Sequence, residues 1–368
     1  MSATDASARP GPTRPRRRPP QSEGPPRSDG QPQIDGQPQD QRSTRVQGSP
    51  TGGAARRRPT WRRTLRRYLT VGSFIGPALL GIAIFLLFPL GTALESSLHK
   101  FGILDAPGTW YGLGNYRYLL HDPFVHTAAW NTLWFCLIMV PAQLVTGLGS
   151  ALLLTKMRSA SSLYRTIFFL PALVPTVAGV LAFVYLLKPG VGPVDTLLGR
   201  VGIEGPLWFN SPSWSKPSLV LLAMWSIGNT MVIFLAALLD VPSSLYEAAS
   251  IDGASAARQF RHVTLPTISP VLLFTTVINI IATLCLFTEA AVAAAAASGA
   301  ATVGGGAASN FGYPQESTLT YPLYIYQTGF PQNLLGYANA LAIVLFVVTC
   351  AVLAVLLRRF RSFTEGAS

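Results

Sequence analysis

Val241–Pro266, VPSSLYEAASIDGASAARQFRHVTLP, is the stretch whose reading decides the fold. It lies between two long apolar runs and is itself too polar to sit in a bilayer. Ser244 and Glu247 have the S-x-x-E spacing of a capping box, and Gly253 suits the left-handed residue that ends a helix. These signals predict a short helix over Leu245–Asp252, carried on a connector. Ala248, Ala249, Ala254, Ala256 and Ala257 keep its faces small, while Arg258, Arg261 and His262 put positive charge before the next apolar run. A partner could approach such a knob closely.

Outward from this connector the chain reads as membrane protein. Of its 368 residues 49% are hydrophobic and 12% charged, with a mean hydropathy of +0.36. The charged share is about half that of soluble domains. Six runs reach the ~20 apolar residues that span a bilayer: about Leu69–Leu94, Ala128–Leu154, Ile167–Leu187, Leu219–Leu239, Ile268–Ala293 and Tyr337–Leu357. All six are expected to be helices, because hydrocarbon offers backbone polar groups no other partner. The fold expected is all-α, a six-helix transmembrane domain over 61–361 followed by a short tail at 362–368.

Net charge is +12, and residues 1–68 carry 15 Arg against five acids, so the excess is concentrated there. Residues 1–60, rich in Pro, Gly, Gln and Arg, cannot bury enough apolar surface to fold and are expected to be a disordered cytoplasmic tail. Arginines and aromatics in Trp61–Tyr68, WRRTLRRY, suit an anionic lipid surface, which accounts for them without nucleic acid. The first apolar run lies too far along the chain, and is too long, for a cleaved signal peptide. Lys156, Arg158 and Arg165, then Arg258 and Arg261, then Arg358, Arg359 and Arg361 lie on the tail's side of the membrane, whereas Ala294–Gly336 has no Lys or Arg. The positive-inside rule puts both termini and the Glu247 connector in the cytoplasm.

Residues capable of chemistry are sparse. Cys136, Cys285 and Cys350 all lie in apolar runs and are expected to be small buried residues, and four scattered histidines have no ligand spacing, so no metal site is expected. The sequence contains no GxxxxGK[ST] phosphate loop and no catalytic constellation. Glu289 is the one clear ionisable group in the spans, which argues against the paired mid-membrane charges of an ion-coupled carrier. The spans do carry uncharged polarity, with Asn131, Asn229, Asn279 and Thr283 alongside Trp225 and Phe287. Amides and hydroxyls beside aromatic faces suit a neutral polyhydroxylated solute; they equally suit hydrogen bonding between helices. Pro89, Pro141, Pro171 and Pro175 are expected to permit kinks in the spans.

Glu247-Ala248-Ala249, Asp252-Gly253-Ala254, Phe260 and Leu265-Pro266 resemble the EAA loop of ATP-binding-cassette importer permeases. Gly112-Leu113-Gly114-Asn115-Tyr116, Asp122-Pro123-Phe124, Asn131-Thr132, Leu170-Pro171 and Gly336-Tyr337-Ala338 are similar to motifs of the sugar-importing, maltose-type branch, over roughly residues 69–361. Where that branch has Thr-Gly-Gly-Gly-Pro after the fifth span, this chain has an Ala-rich run and Thr302–Ala307 without the proline. The resemblance implies a type I permease bundle that couples to a separate ATPase through Glu247, Ala248, Ala249, Asp252, Gly253, Ala254, Leu265 and Pro266. It also implies a heterodimer with a second permease subunit, two cytoplasmic ATPase subunits and an extracellular solute-binding protein. ATP and Mg would be bound by the ATPase, and this chain would hold no cofactor of its own. An ion-coupled carrier and a non-transporting membrane scaffold are the alternatives from other classes.

Overall fold

The computed structural model describes residues 61–102, 108–157, 161–299 and 311–365. The chain divides into two units, Met1–Arg66 and Arg67–Ser368. The expected tail 1–60 lies outside the described residues, and from Arg67 onward the helices belong to the second unit. Helix α1 (Trp61–Ile82) passes through a π-helical turn, Ala83–Leu87, into α2 (Phe88–Ser97). Pro89 cannot donate to the Phe85 carbonyl and its ring crowds that carbonyl; the wider turn accommodates it. A two-residue ribbon, β1 (His99–Lys100) with β2 (Thr109–Trp110), leads to α3 (Gly114–Leu119) and the 34-residue α4 (Pro123–Lys156).

After α4 come α5 (Ser161–Phe169), α6 (Thr176–Leu186), α7 (Pro193–Arg200), α8 (Pro212–Trp225) and α9 (Gly228–Leu239). The connector holds α10 (Ser243–Ile251), α11 (Ala256–Gln259), a second π-helical turn, Phe260–Thr264, and α12 (Leu265–Thr267). Pro266 comes just after this turn, as Pro89 does after the first. The chain closes with α13 (Ser269–Leu284), α14 (Thr288–Ser298), α15 (Tyr321–Gly329) and α16 (Leu335–Glu365).

Among the described residues three helical stretches are long and apolar enough to cross a membrane, Tyr68–Ser97, Pro123–Lys156 and Leu335–Arg359, and counting each of three bent pairs as one span makes six. A kink is expected at Pro171 and Pro175; the bends in the fourth and fifth spans are not. Ser162–Leu173 meets Thr176–Leu186 at 101°. Its cause is local: Val174 precedes Pro175 and is forced to an extended ψ of 131°, and Pro175 itself takes 132°. The fourth span bends by 48° between Trp225 and Gly228, and Ala256–Thr267 turns by 69° into Ser269–Leu284. The expected fifth span, Ile268–Ala293, is interrupted again at Cys285–Phe287, before α14. Pro141, by contrast, is absorbed within a continuous α4.

Two cores lie along α4, which at 1.5 Å per residue is about 50 Å long. Near its start Ala128, Phe135 and Met139 pack with α6, α8, α14, α15 and the beginning of α16. Near its end Ala151 and Leu154 pack with Met231, Phe234, Leu238, Val241 and Ile268, so the connector is rooted in the second core. Outward apolar side chains such as Phe74 and Phe85, 83% and 81% exposed, are what a lipid or subunit-facing surface requires. Cys285 and Cys350 lie on that surface too, contrary to the expected burial, because their stretches are apolar on every side.

Candidate functional site: a clamped connector and a cavity at three helix breaks

Helix α10 starts earlier than its sequence suggests. Pro242, with φ −59° and ψ 130°, precedes the first turn, Leu245 N–H reaches the Pro242 carbonyl, and no side chain caps the helix. Ser244 therefore lies inside the first turn and cannot close a capping box with Glu247. The other end forms as expected. Gly253 has φ +73°, Ala254 N–H donates to the Ala249 carbonyl at 2.9 Å, and Gly253 N–H donates to Ser250 at 3.1 Å, the paired bonds of a Schellman ending.

Side chains then tie α10 back to the segment after it. The Tyr246 hydroxyl and Thr264 Oγ1 are 2.9 Å apart, Gln259 Nε2 donates to Ser250 Oγ at 3.0 Å and to the Ala254 carbonyl at 3.2 Å, and Ser250 donates to Tyr246 O. Outside this clamp the helix is bare. Glu247, Ala248 and Asp252 are exposed, as is Pro266, while Ala249, Ala254 and Leu265 are half-buried. Ile251 is 87% exposed. A hollow of about 340 Å³ beside the helix joins Ala249, Asp252 and Ala254 to Arg258, Gln259 and His262. Glu247 lies on another face.

The second feature is a cavity of about 260 Å³ bordered by breaks in three spans, after Leu173, after Trp225 and at Cys285–Phe287. Pro171, Val174 and Thr176 come from the first break, Trp225, Ser226 and Asn229 from the second, Leu286 and Glu289 from the third, with Gln143 from α4 and Thr283 from α13. Irregular backbone at membrane depth is tolerated where it lines a cavity of this kind. Of the residues expected to face a solute, Asn229 and Thr283 do line it. Asn279 is buried a turn away, with its Nδ2 unpartnered, and the Thr283 hydroxyl donates to its carbonyl at 2.8 Å. Phe287 instead packs edge-on to Tyr326, ring centroids 5.3 Å apart.

Asn131 does not reach the cavity. It is 3% exposed, and its amide donates to the Glu316 and Leu319 carbonyls at 2.8 and 2.9 Å, while Thr132 accepts from Tyr321 N–H. The neighbouring motif residues are similarly engaged. Asn115 donates to the Ser97 and His99 carbonyls, and Gly336 lies so near His99 O that an added Cβ would meet it at 2.0 Å. Asp122 caps α4 through Phe124 N–H and accepts hydroxyl bonds from Tyr324 and Tyr337. Burial and that carboxylate both push the Tyr324 hydroxyl well above its usual range, so it donates.

Sequence reasoning singles out Asn229, Thr283, Trp225 and Glu289 as polar or aromatic but cannot place them together. It misses Thr176 and Ser226; the signal for them is the breaks beside Pro175 and Gly228. Among the described residues no group of three or more metal-ligating side chains occurs. The Ala-rich departure from the resembled pattern folds as α14, with Ala290–Ala295 all buried and α6 as its main neighbour, while Thr302–Ala307 lies outside the described residues.

Residues 143–362 match the family "Binding-protein-dependent transport system inner membrane component". The chain is 32% identical to the sulfoquinovosyl glycerol transport system permease protein of Agrobacterium fabrum, over 83% of this chain and 95% of that protein. It is 35% identical to the lactose transport system permease protein of Rhizobium radiobacter, over 74% and 87%. Among solved structures, a bacterial transporter that imports the acidic polysaccharide alginate has a chain that superposes with a TM-score of 0.66 at 21% identity, over 83% of this chain and 99% of that one. With its bent spans, its exposed connector and these relatives, the chain belongs to the binding-protein-dependent inner-membrane permeases and is a sugar ABC importer subunit, a transport component of the cell membrane.

Proposed function

We propose that the chain forms half of the translocation pathway of an ATP-driven sugar importer and couples to a separate ATPase through α10. The observation that carries this is the contrast within the connector: a helix fixed by a Schellman ending and the Tyr246–Thr264 and Gln259–Ser250 bonds, yet with Glu247, Ala248, Asp252 and Ile251 left exposed. A rigid element with an open outer face can transmit displacement; a floppy one would absorb it. Its root in the Ala151–Ile268 core passes the movement to α4, α9 and α13, which contribute Gln143, Asn229 and Thr283 to the cavity at the helix breaks. Trp225 and these uncharged polar groups suit the apolar face and the hydroxyls of a sugar.

In this reading ATP and Mg belong to the ATPase subunits, a second permease subunit completes the pathway, and an extracellular solute-binding protein delivers the sugar. Both termini and α10 face the cytoplasm. The relatives' names support a saccharide and range from lactose and arabinooligosaccharides to sulfoquinovosyl glycerol. The test is sugar uptake and sugar-stimulated ATP hydrolysis in the reconstituted importer, wild type against Glu247→Ala and Gly253→Asp. Both variants should lose coupling at normal membrane levels, Gly253→Asp more severely; full coupling in both refutes the assignment. Crosslinking from Ala248 or Ala249 should capture the nucleotide-hydrolysing subunit.

A further inference from the structure

We propose that Glu289 makes the cavity a filter against anionic saccharides, and so determines the charge class of solute that this subunit passes. Every other cavity-lining residue is uncharged; the polar ones are Gln143, Thr176, Ser226, Asn229 and Thr283. Glu289 is half-buried in the first turn of α14, and among the described residues none pairs with it. No side chain among the described residues offsets its charge where it borders the cavity.

An ionised carboxylate is acceptor-only, so it can take hydrogen bonds from two sugar hydroxyls, while the amides of Gln143 and Asn229 can both donate and accept. A solute carboxylate, sulfonate or phosphate offers it no donor. A space of about 260 Å³ is roughly 6 Å across, so a second negative charge stands within about 10 Å; at an effective dielectric of about 20 that weakens binding roughly 10- to 100-fold. The competing explanation is that Glu289 merely complements the positive end of α14. That role alters the stability of α14 without discriminating between solutes.

The inference rests on the cavity being part of the sugar pathway, and the experiment separates the two. The complete purified importer is titrated with lactose and maltose, and with the matching disaccharides whose non-reducing sugar is a uronic acid. Binding is followed by tryptophan fluorescence, with Trp225→Phe identifying the part of the signal that arises in the cavity. Wild type should bind the neutral sugars at least 10-fold more tightly than the uronic ones. Glu289→Gln should bring the uronic sugars to within threefold of the neutral ones, and Glu289→Asp should keep the discrimination. If wild type binds both classes alike, or Glu289→Gln leaves the ratio unchanged while both variants fold normally, the filter is refuted and the sugar pathway stands. If neither class binds with a Trp225-dependent signal, the pathway assignment falls, and the filter with it.

Discussion

The two ends of α4 use polar residues in opposite ways. At its start, Asp122, Asn115, Asn131 and Thr132 are buried and their hydrogen bonds are spent inside the chain, joining α2, α3, α15 and α16 into one corner. Beyond its end, the connector bonds Tyr246, Ser250 and Gln259 to itself and leaves Glu247, Asp252 and Ile251 open. One end is a fastening and the other a handle. Motif residues of similar polarity therefore carry different kinds of consequence when altered, and the difference can be measured.

The largest effect should come from Asp122→Ala, which strips two buried tyrosine hydroxyls of their acceptor and removes the cap of α4. A loss of about 3–4 kcal/mol is expected, read as a lower melting temperature of the detergent-solubilised complex, with Asp122→Asn milder. Asn131→Ala should cost about 2 kcal/mol by orphaning the Glu316 and Leu319 carbonyls, with sugar affinity unchanged. Weaker sugar binding in a variant of normal stability would return Asn131 to the pathway and blur the contrast. Gly253→Val should cost about 1–2 kcal/mol, because a β-branched residue at φ +73° is strained even in open space. That loss should appear as faster hydrogen exchange over 243–254 and lost coupling, with global stability nearly intact. Tyr246→Phe should be the mildest, about 1 kcal/mol, visible only as faster exchange in α10 and α11.

Much of this is legible from residue order. Hydropathy locates the spans, and Gly253 declares the end of α10, because both are short-range chemistry. The start of α10 is not, since Pro242, with its fixed φ, preempts the serine that the spacing favours. The cavity is equally illegible, because it exists only where breaks near Pro175, Ser226 and Leu286 meet, and no one-dimensional pattern records that meeting. Asn131 misleads for a related reason: an amide in an apolar run looks the same whether it awaits a solute or holds a carbonyl 185 residues away.

Helix α14 has a further consequence. From Ala290 to Ala295 the side chains it buries are five methyl groups and one valine, and α6 is its principal neighbour. Side chains so small let the backbones of α14 and α6 approach closely, so bulkier residues at Ala290–Ala295 would push the two helices apart. Glu289 sits at the head of that close-packed rod, so such a substitution would shift the wall of the space it borders.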